Sequence, residues 1–529
     1  MYVIGIDVGT GSARAGVFDL HGQMLASAKT DITIYREPGS IAEHSSAQIW
    51  AAVCAATRAA LRQAAIDPTQ ITGIGFDATC SLVVLGPHGI PLPVGPSGDP
   101  ARDVIVWMDH RAVAQAARIN ATRHPVLAYV GGVISPEMQT PKLLWLAENK
   151  PDTFSAAWQF FDLADFLTWR ATGSLARSTC TLTCKWTYLA HEKRWDPSYF
   201  HAIGLGSLAD EGFTRIGTTV VAPGTALGHG LTPQAAADLG LPPGTPVAAG
   251  LIDAHAGGVG TVGAIGDAPA HNLAYVFGTS SCTMTTTADP VFVPGVWGPY
   301  YSAMVPGTWL NEGGQSAAGA AIDQLLTLHP AHADATTRAA GQALPVWLAD
   351  QARSANLSDA VLLAGDIHVV PEFLGNRAPF ADPHARAIIA GLGMDSDLAS
   401  LIALYIAGLC GIGYGLRQII HTQTQHNAPV QRIVISGGAG GHDLVRQILA
   451  DATGLPVVAT QATEPVLLGS AMLGAVAGGA FATLPEAMSA MSATRQTFTP
   501  ATGAIQTLHA QRFTAFQALQ TVARQLRNR

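Results

Sequence analysis

The chain has 529 residues, of which 48% are hydrophobic and only 12% charged, with a formal net charge of −8. That balance describes a large apolar interior and excludes a disordered chain, and the length favours two or more domains over one core. The lysines (Lys29, Lys142, Lys150, Lys185 and Lys193) form no basic cluster, so a phosphate-neutralising nucleic-acid surface is not expected.

The opening "YVIGIDVGTGSARAGVFDL" reads as a strand over Val3–Asp7, a Gly/Thr/Ser turn and a second strand over Ala13–Phe18. "HGQ" then turns the chain into Met24–Ala28, which completes an antiparallel meander. A helix follows, with Ser45 or Ser46 as its cap. "ITGIGFDATCSLVVL" resumes strand character, and the stretch from Ala112 to Leu208 is mostly helical with Pro and Gly breaks. "TPVAAGLIDAHAGGVG" is a further apolar strand that ends in polar residues. "LAYVFGTSSCTMTTT" repeats the opening pattern of strand, Gly/Thr/Ser turn and strand, and "RIVISGGAGGHDLVRQILADATG" is strand, glycine turn and helix. The repeated unit suggests duplicated domains facing one cleft.

Two uncharged stretches, Leu398–Leu416 and Pro465–Pro485, reach membrane-spanning length. Both are rich in small residues and lack a flanking Lys/Arg bias, so buried helices and no membrane span are expected. Six cysteines make no disulfide framework in a chain this long. Cys180 and Cys184 are separated by three residues with no second pair nearby, and a zinc site needs more soft ligands. Free thiols in a reducing cytoplasm are expected, and the N-terminus has no secretory pattern.

No lysine follows a glycine, which excludes a P-loop, and no glycine fingerprint sits where a Rossmann dehydrogenase requires it. Tight turns offer another phosphate cradle, because successive backbone N–H groups form an anion-binding concavity and Thr and Ser hydroxyls add donors. Gly9, Thr10, Gly11 and Ser12 suit this, as do Gly278, Thr279 and Ser280. Asp7 then fits a Mg²⁺ ligand; the alternative is a hairpin turn with a capping Asp. The turn Ser436–Gly441 offers a flat slot for a base, or is a plain strand-to-helix connection. Asp253 is either a helix cap or a reacting acid at a cleft, the residue type that accepts a proton from a sugar hydroxyl. His255 reads as structural. In "VIVWMDHRA", Trp107, Asp109 and Arg111 alternate on an extended segment and grip a polyol, or form an ion pair beside a core Trp. "FDATCS" adds Asp77, Thr79 and Cys80, and "WLNEGGQSAAG" adds Asn311, Glu312 and Gln315.

Together these residues resemble the FGGY family of carbohydrate kinases, within the actin/hexokinase-like ATPases. "IDVGTGSAR" is similar to the family's first phosphate motif, "VFGTSSCTM" to the second, "SGGAGGHDL" to the adenosine motif, and "GLIDAHAGGVG" to the segment with the catalytic aspartate. The blocks "GFDATCSLVVL", "WMDHRA", "SPEMQTPKLLWL", "CKWTYLA", "VPGVWGPYYSAMVPGTWLNEGGQSA" and "FLGNRAP" resemble the D-ribulokinase branch.

The resemblance implies an α/β protein with two ribonuclease-H-like domains around a central cleft. The expected domains span 1–260 and 261–495, with a helical tail over 496–529. It implies ATP and Mg²⁺, a pentulose substrate, and is compatible with a homodimer. By position, Asp253 would be the base and, with Asp7, would hold Mg²⁺. Thr10 and Thr279 would contact phosphates. Asp77, Thr79, Trp107, Asp109 and Arg111 would contact or frame the sugar, and Gln315 would flank nucleotide or sugar. Gly437, Gly438 and Ala439 would line the adenine slot. Gly441 and His442 stand where relatives carry Lys-Asn, which bears on the base or ribose contact.

Overall fold

The structure, a computed structural model, describes residues 1–265, 270–353 and 356–527. The meander appears as β1 (Tyr2–Val8), β2 (Ser12–Asp19) and β3 (Met24–Asp31), paired antiparallel. Helix α1 (Ser46–Ala64) follows, and the Ser45 side chain accepts from the Gln48 N–H at its start, satisfying one orphan donor of the first turn. β4 (Ile71–Ala78) returns parallel to β1, and the short β5 (Leu251–Ile252) lies parallel to β4. The order is β5-β4-β1-β2-β3. β1 and β4 are buried nearly end to end, as strands covered on both faces must be. Register places Asp7 beside Asp77 on one neighbouring strand and beside Arg14 on the other.

The chain then enters α2 (Asp253–Val262), β6 (Asn272–Phe277), β7 (Ser281–Thr287), β8 (Trp297–Tyr301) and β9 (Trp309–Gln315). Later come α3 (Leu398–Gln425), β10 (Arg432–Ser436), α4 (Asp443–Thr453) and β11 (Val457–Thr460). They are followed by α5 (Pro465–Ala477), β12 (Thr494–Phe498) and α6 (Ala504–Arg527). The second sheet has seven strands in the order β8-β9-β7-β6-β10-β11-β12. β6, β7 and β9 run antiparallel, while β10 and β11 lie parallel to β6. Its centre therefore repeats the strand order of the first sheet, which is the duplication of a ribonuclease-H-like unit.

α3 is long and apolar enough to cross a membrane, but most of it is buried, packed against α4, the turns of Leu357–Ala364 and the strand His368–Val370. The expected domain boundary at 495 falls inside β12, which pairs with β11. α6 is docked as well: Tyr414 Oη lies 2.9 Å from His509 Nδ1, and Arg512 donates to the Gly365 carbonyl at 2.6 Å. The tail is thus part of the second lobe, anchored by buried aromatic and guanidinium groups.

α5 crosses back to lie on β1 and β4 and against α2. Glycine permits the approach: a Cβ on Gly5 would sit 1.9 Å from the Leu467 carbonyl oxygen, and one on Gly75 would sit 1.8 Å from that of Ser470. A Cβ on Gly469 would meet the Ala256 carbonyl oxygen at 1.9 Å. α2 and α5 therefore touch backbone to backbone between the lobes, and α2 begins with Asp253.

Candidate active site

Two tight turns face each other across a cavity of about 340 Å³ between the sheets. In the β1–β2 turn the Gly9 N–H donates to the Ser12 carbonyl at 3.0 Å, and in the β6–β7 turn the Gly278 N–H donates to the Ser280 carbonyl at the same distance. Gly9 and Thr10 line the cavity from one lobe, and Gly278, Thr279 and Ser280 from the other. Gly11 and Ser12 do not line it: the Gly11 carbonyl accepts from Ile32, and the Ser12 carbonyl closes the turn.

Asp7, at the end of β1, and Asp253, at the start of α2, both reach this cavity. Arg14 holds Asp7 Oδ2 through Nε at 2.8 Å and through a second guanidinium nitrogen, and its Nη1 donates to Glu464 at 2.7 Å. Asp253 Oδ1 accepts from the Ala254 N–H at 2.7 Å, so the residue is part of the first helical turn and faces the cleft as well. Burial first, and the Asp7 carboxylate second, push the Asp253 carboxyl up to about 6.

Asp77 is fully buried and does not line the cavity. Its Oδ2 accepts from the Ser470 hydroxyl of α5 at 2.5 Å. Burial, then Asp7, push its carboxyl well above the usual range, and it lies behind Asp7, out of the cavity, and is not a sugar contact.

On the acceptor side, Thr79, Cys80 and Trp107 line the cavity. The strand that precedes Trp107 ends at Ile105, so the expected extended alternation fails and the segment turns. The Trp107 N–H donates to Ser81 Oγ at 3.1 Å, and the buried Lys142 ammonium donates to the Val106 and Trp107 carbonyls at 3.1 Å. Asp109 and Arg111 do not line the cavity, contrary to the expected sugar contact, and form the ion pair that the sequence also allowed. Arg111 Nη2 donates to Asp109 Oδ2 at 2.7 Å and to Glu43 Oε1 at 2.8 Å, and Asp109 Oδ2 accepts from the Ala42 N–H at 2.7 Å. Their side chains are 0% and 2% exposed. A charge that deep needs full pairing, and this pair braces the turn that presents Trp107.

Four charged groups of the wall were not singled out in the sequence reading: Arg14, Glu137, Lys185 and Arg377; Glu312, which was, joins them there. Lys185 lies 5.1 Å from the centre of the Trp297 ring, a cation–π distance. Burial opposes the charge on Glu312, but Lys185 and His255 outweigh it and hold the carboxyl down at about 2. Each residue sits inside a block that carried the family resemblance, yet a single charged letter carries no periodic signal that it faces the cleft.

A second cavity of about 340 Å³ adjoins the β6–β7 turn, with Phe277, Tyr405, Leu409, Gly438, Ala439 and His442 on its walls. The Gly319 N–H donates to the Gly278 carbonyl at 2.9 Å, so the two cavities share the Gly278–Ser280 turn. Gly437 is behind the slot, at φ 92° with a Cβ position 2.4 Å from the Phe277 carbonyl oxygen, a conformation and space only glycine fits. His442 Nδ1 accepts from the Leu444 N–H, capping α4, and Nε2 lies 3.1 Å from Asp350. Gln315 lines neither cavity. Its Oε1 accepts from Tyr275 and Ser281 at 3.0 Å and its Nε2 donates to the Ile412 carbonyl at 3.0 Å, so both ends of its amide are spent on joining the sheet to α3.

The arrangement places a part-desolvated acid between an apolar base-sized slot with amide-lined turns and a polar, aromatic-walled chamber. Asp7, Asp253 and the threonine hydroxyls form an all-oxygen donor set of the kind Mg²⁺ takes beside phosphate. Asp7 and Asp253 present two carboxylates to one cavity beside the threonine hydroxyls, so the residues fit the ion.

The family models for the N-terminal and C-terminal domains of the FGGY family of carbohydrate kinases match residues 2–260 and 273–478. The chain is 48% identical over 504 residues to the FGGY carbohydrate kinase domain-containing protein of Homo sapiens, covering 93% of this chain and 91% of that one. It is 37% identical over 516 residues to a D-ribulokinase of Saccharomyces cerevisiae, covering 91% and 72%. Its fold matches that of a xylulose kinase from Rhodospirillum rubrum with a TM-score of 0.83 at 22% identity over 100% of each chain.

Proposed function

We propose that this chain, which belongs to the FGGY family of carbohydrate kinases, phosphorylates the terminal hydroxyl of a pentulose, D-ribulose before others. The protein is a sugar kinase, a phosphotransferase with ATP and a sugar as its substrates. The observation that carries the finer reading is the position of Asp253 in the wall shared by the phosphate turns and the Trp107/Lys185/Glu312 chamber.

In this reading the adenine rests in the slot of Gly438, Ala439 and Tyr405, and the phosphates run along Gly278–Ser280 towards Gly9 and Thr10. The sugar sits against Trp107, its hydroxyls facing Lys185 and Glu312. The terminal hydroxyl attacks the γ-phosphorus in line, its proton passes to an Asp253 carboxylate oxygen, and the bond to the ADP oxygen breaks. Asp7, through water, and Asp253 would hold Mg²⁺, which supplies neutralisation of the phosphate charge. Closing the lobes over α2 and α5 excludes water as a competing acceptor.

The choice of D-ribulose is supported by the likeness to the yeast D-ribulokinase over most of this chain. A coupled ADP-release assay with D-ribulose, L-ribulose, D-xylulose, ribitol and erythrulose tests it. D-Ribulose should show the highest kcat/KM by tenfold or more, and a higher value for any other sugar reassigns the substrate.

A further inference from the structure

Behind the acceptor chamber lies a cluster that phosphoryl transfer does not use. The helix Thr179–Lys185 carries Cys180 and Cys184 four residues apart, hence on one face. α2 brings His255 against them. All three are 0% exposed, and their ligand atoms lie within 4.8 Å of one another. Cys180 Sγ is 3.1 Å from His255 Nδ1, and the Ile252 N–H donates to the same sulfur at 3.3 Å. The other imidazole nitrogen, Nε2, is 3.3 Å from Glu312 Oε2. A carboxylate in that place holds a proton on Nε2, so that Nδ1, which faces the sulfurs, is the nitrogen whose lone pair a cation would take once its proton leaves, the outer-shell arrangement of a metal-bound histidine.

We propose that Cys180, Cys184 and His255 form a binding site for a thiophilic divalent cation of the zinc class. Zinc–sulfur and zinc–nitrogen bonds of about 2.3 Å and about 2.0 Å require donors less than about 4 Å apart, so small rotamer changes complete the set. Two sulfurs and one nitrogen select against Mg²⁺, which keeps this site chemically apart from the oxygen-lined one. The three protein donors leave one coordination position open. Binding releases two protons to solvent, one from Cys184 and one from the Cys180–His255 pair, because both sulfurs bind as thiolates and Nδ1 binds through its lone pair. The ion ties the helix Thr179–Lys185 to the first turn of α2, so occupancy clamps the backbone that carries Asp253. Lys185 follows Cys184 in the chain, Asp253 stands two residues before His255, and Glu312 is the partner of His255; all three line the sugar chamber, which gives the ion its entry side.

The test uses the full-length chain, reduced and stripped with a chelator, and titrated with Co²⁺. A thiolate-to-cobalt charge-transfer band should saturate at one equivalent and vanish on addition of Zn²⁺, and Zn²⁺ should raise Tm, because an ion that binds only the folded state stabilises it. Cys180→Ser and Cys184→Ser should each weaken binding tenfold or more, while Cys54→Ser and Cys410→Ser leave it unchanged. Absence of the band in the wild-type chain, or its persistence in both Cys180→Ser and Cys184→Ser, overturns the proposal. If those variants fail to fold, the wild-type stoichiometry and Tm response decide it.

Discussion

The indole Nε1 of Trp107 donates to the hydroxyl of Thr10 at 2.9 Å, so the acceptor wall and the first phosphate turn are joined by one hydrogen bond. The bond occupies a lone pair of Thr10 and leaves its O–H free to donate to a phosphate. Trp107→Phe keeps the ring face but removes the donor. A part-buried hydrogen bond contributes about 1 kcal/mol, so kcat/KM should fall roughly fivefold, with the loss in kcat if the bond aligns the transferring group. Steady-state kinetics at varied sugar and varied ATP separate the two cases.

In the proposed role of base Asp253 must be ionised, and burial with Asp7 has raised its carboxyl to about 6. The sign follows directly: kcat/KM should rise with pH and level off above the point where Asp253 has lost its proton. Asp253→Asn should lower kcat by on the order of 10²–10⁴ and abolish that acid limb, while calorimetry finds ATP affinity nearly intact. A variant that turns over near the wild-type rate removes Asp253 from the role of base.

Asp109 pairs with Arg111 at full burial. Removing one partner of a buried pair leaves the other charge uncompensated, which costs about 3–5 kcal/mol. Asp109→Ala should therefore lose stability by that amount in urea unfolding, yet keep the sugar KM of whatever fraction folds within a few-fold of wild type. A selective loss of sugar binding in a stable Asp109→Ala protein returns the residue to the site.

Gly75 has α5 directly above it, and a methyl there meets the Ser470 carbonyl oxygen at 1.8 Å. Gly75→Ala must push α5 off the sheet and stretch the Ser470–Asp77 bond. Overpacking of this kind costs about 1–3 kcal/mol. Thermal unfolding should show a lower Tm, and hydrogen exchange should show faster opening in Pro465–Ala477 than in α4.

Much of the fold was readable because it rests on local rules. The alternation of apolar residues, the Gly/Thr/Ser turns and the Ser45 cap each concern a few adjacent residues, and their repetition announced the second lobe. The two Gly/Thr/Ser turns and the place of Asp253 at the start of a helix were readable for the same reason. Asp109 and Arg111 were not, because the segment turns after Ile105 and alternation no longer tells which way a side chain points. Gln315 lay on a legible strand, but its amide partners Tyr275, Ser281 and Ile412 come from elsewhere in the chain.

By itself the sequence determined the two-lobed α/β architecture, the amide-lined turns and the acid that follows the apolar strand. These depend on periodicity and on turn chemistry, which are properties of neighbours. Only the tertiary structure decided which polar residues reach the chamber and which brace its walls, and only it brought His255 to Cys180 and Cys184. Those outcomes depend on contacts between residues far apart in the chain, where burial and pairing of charge, not spacing, choose the partner.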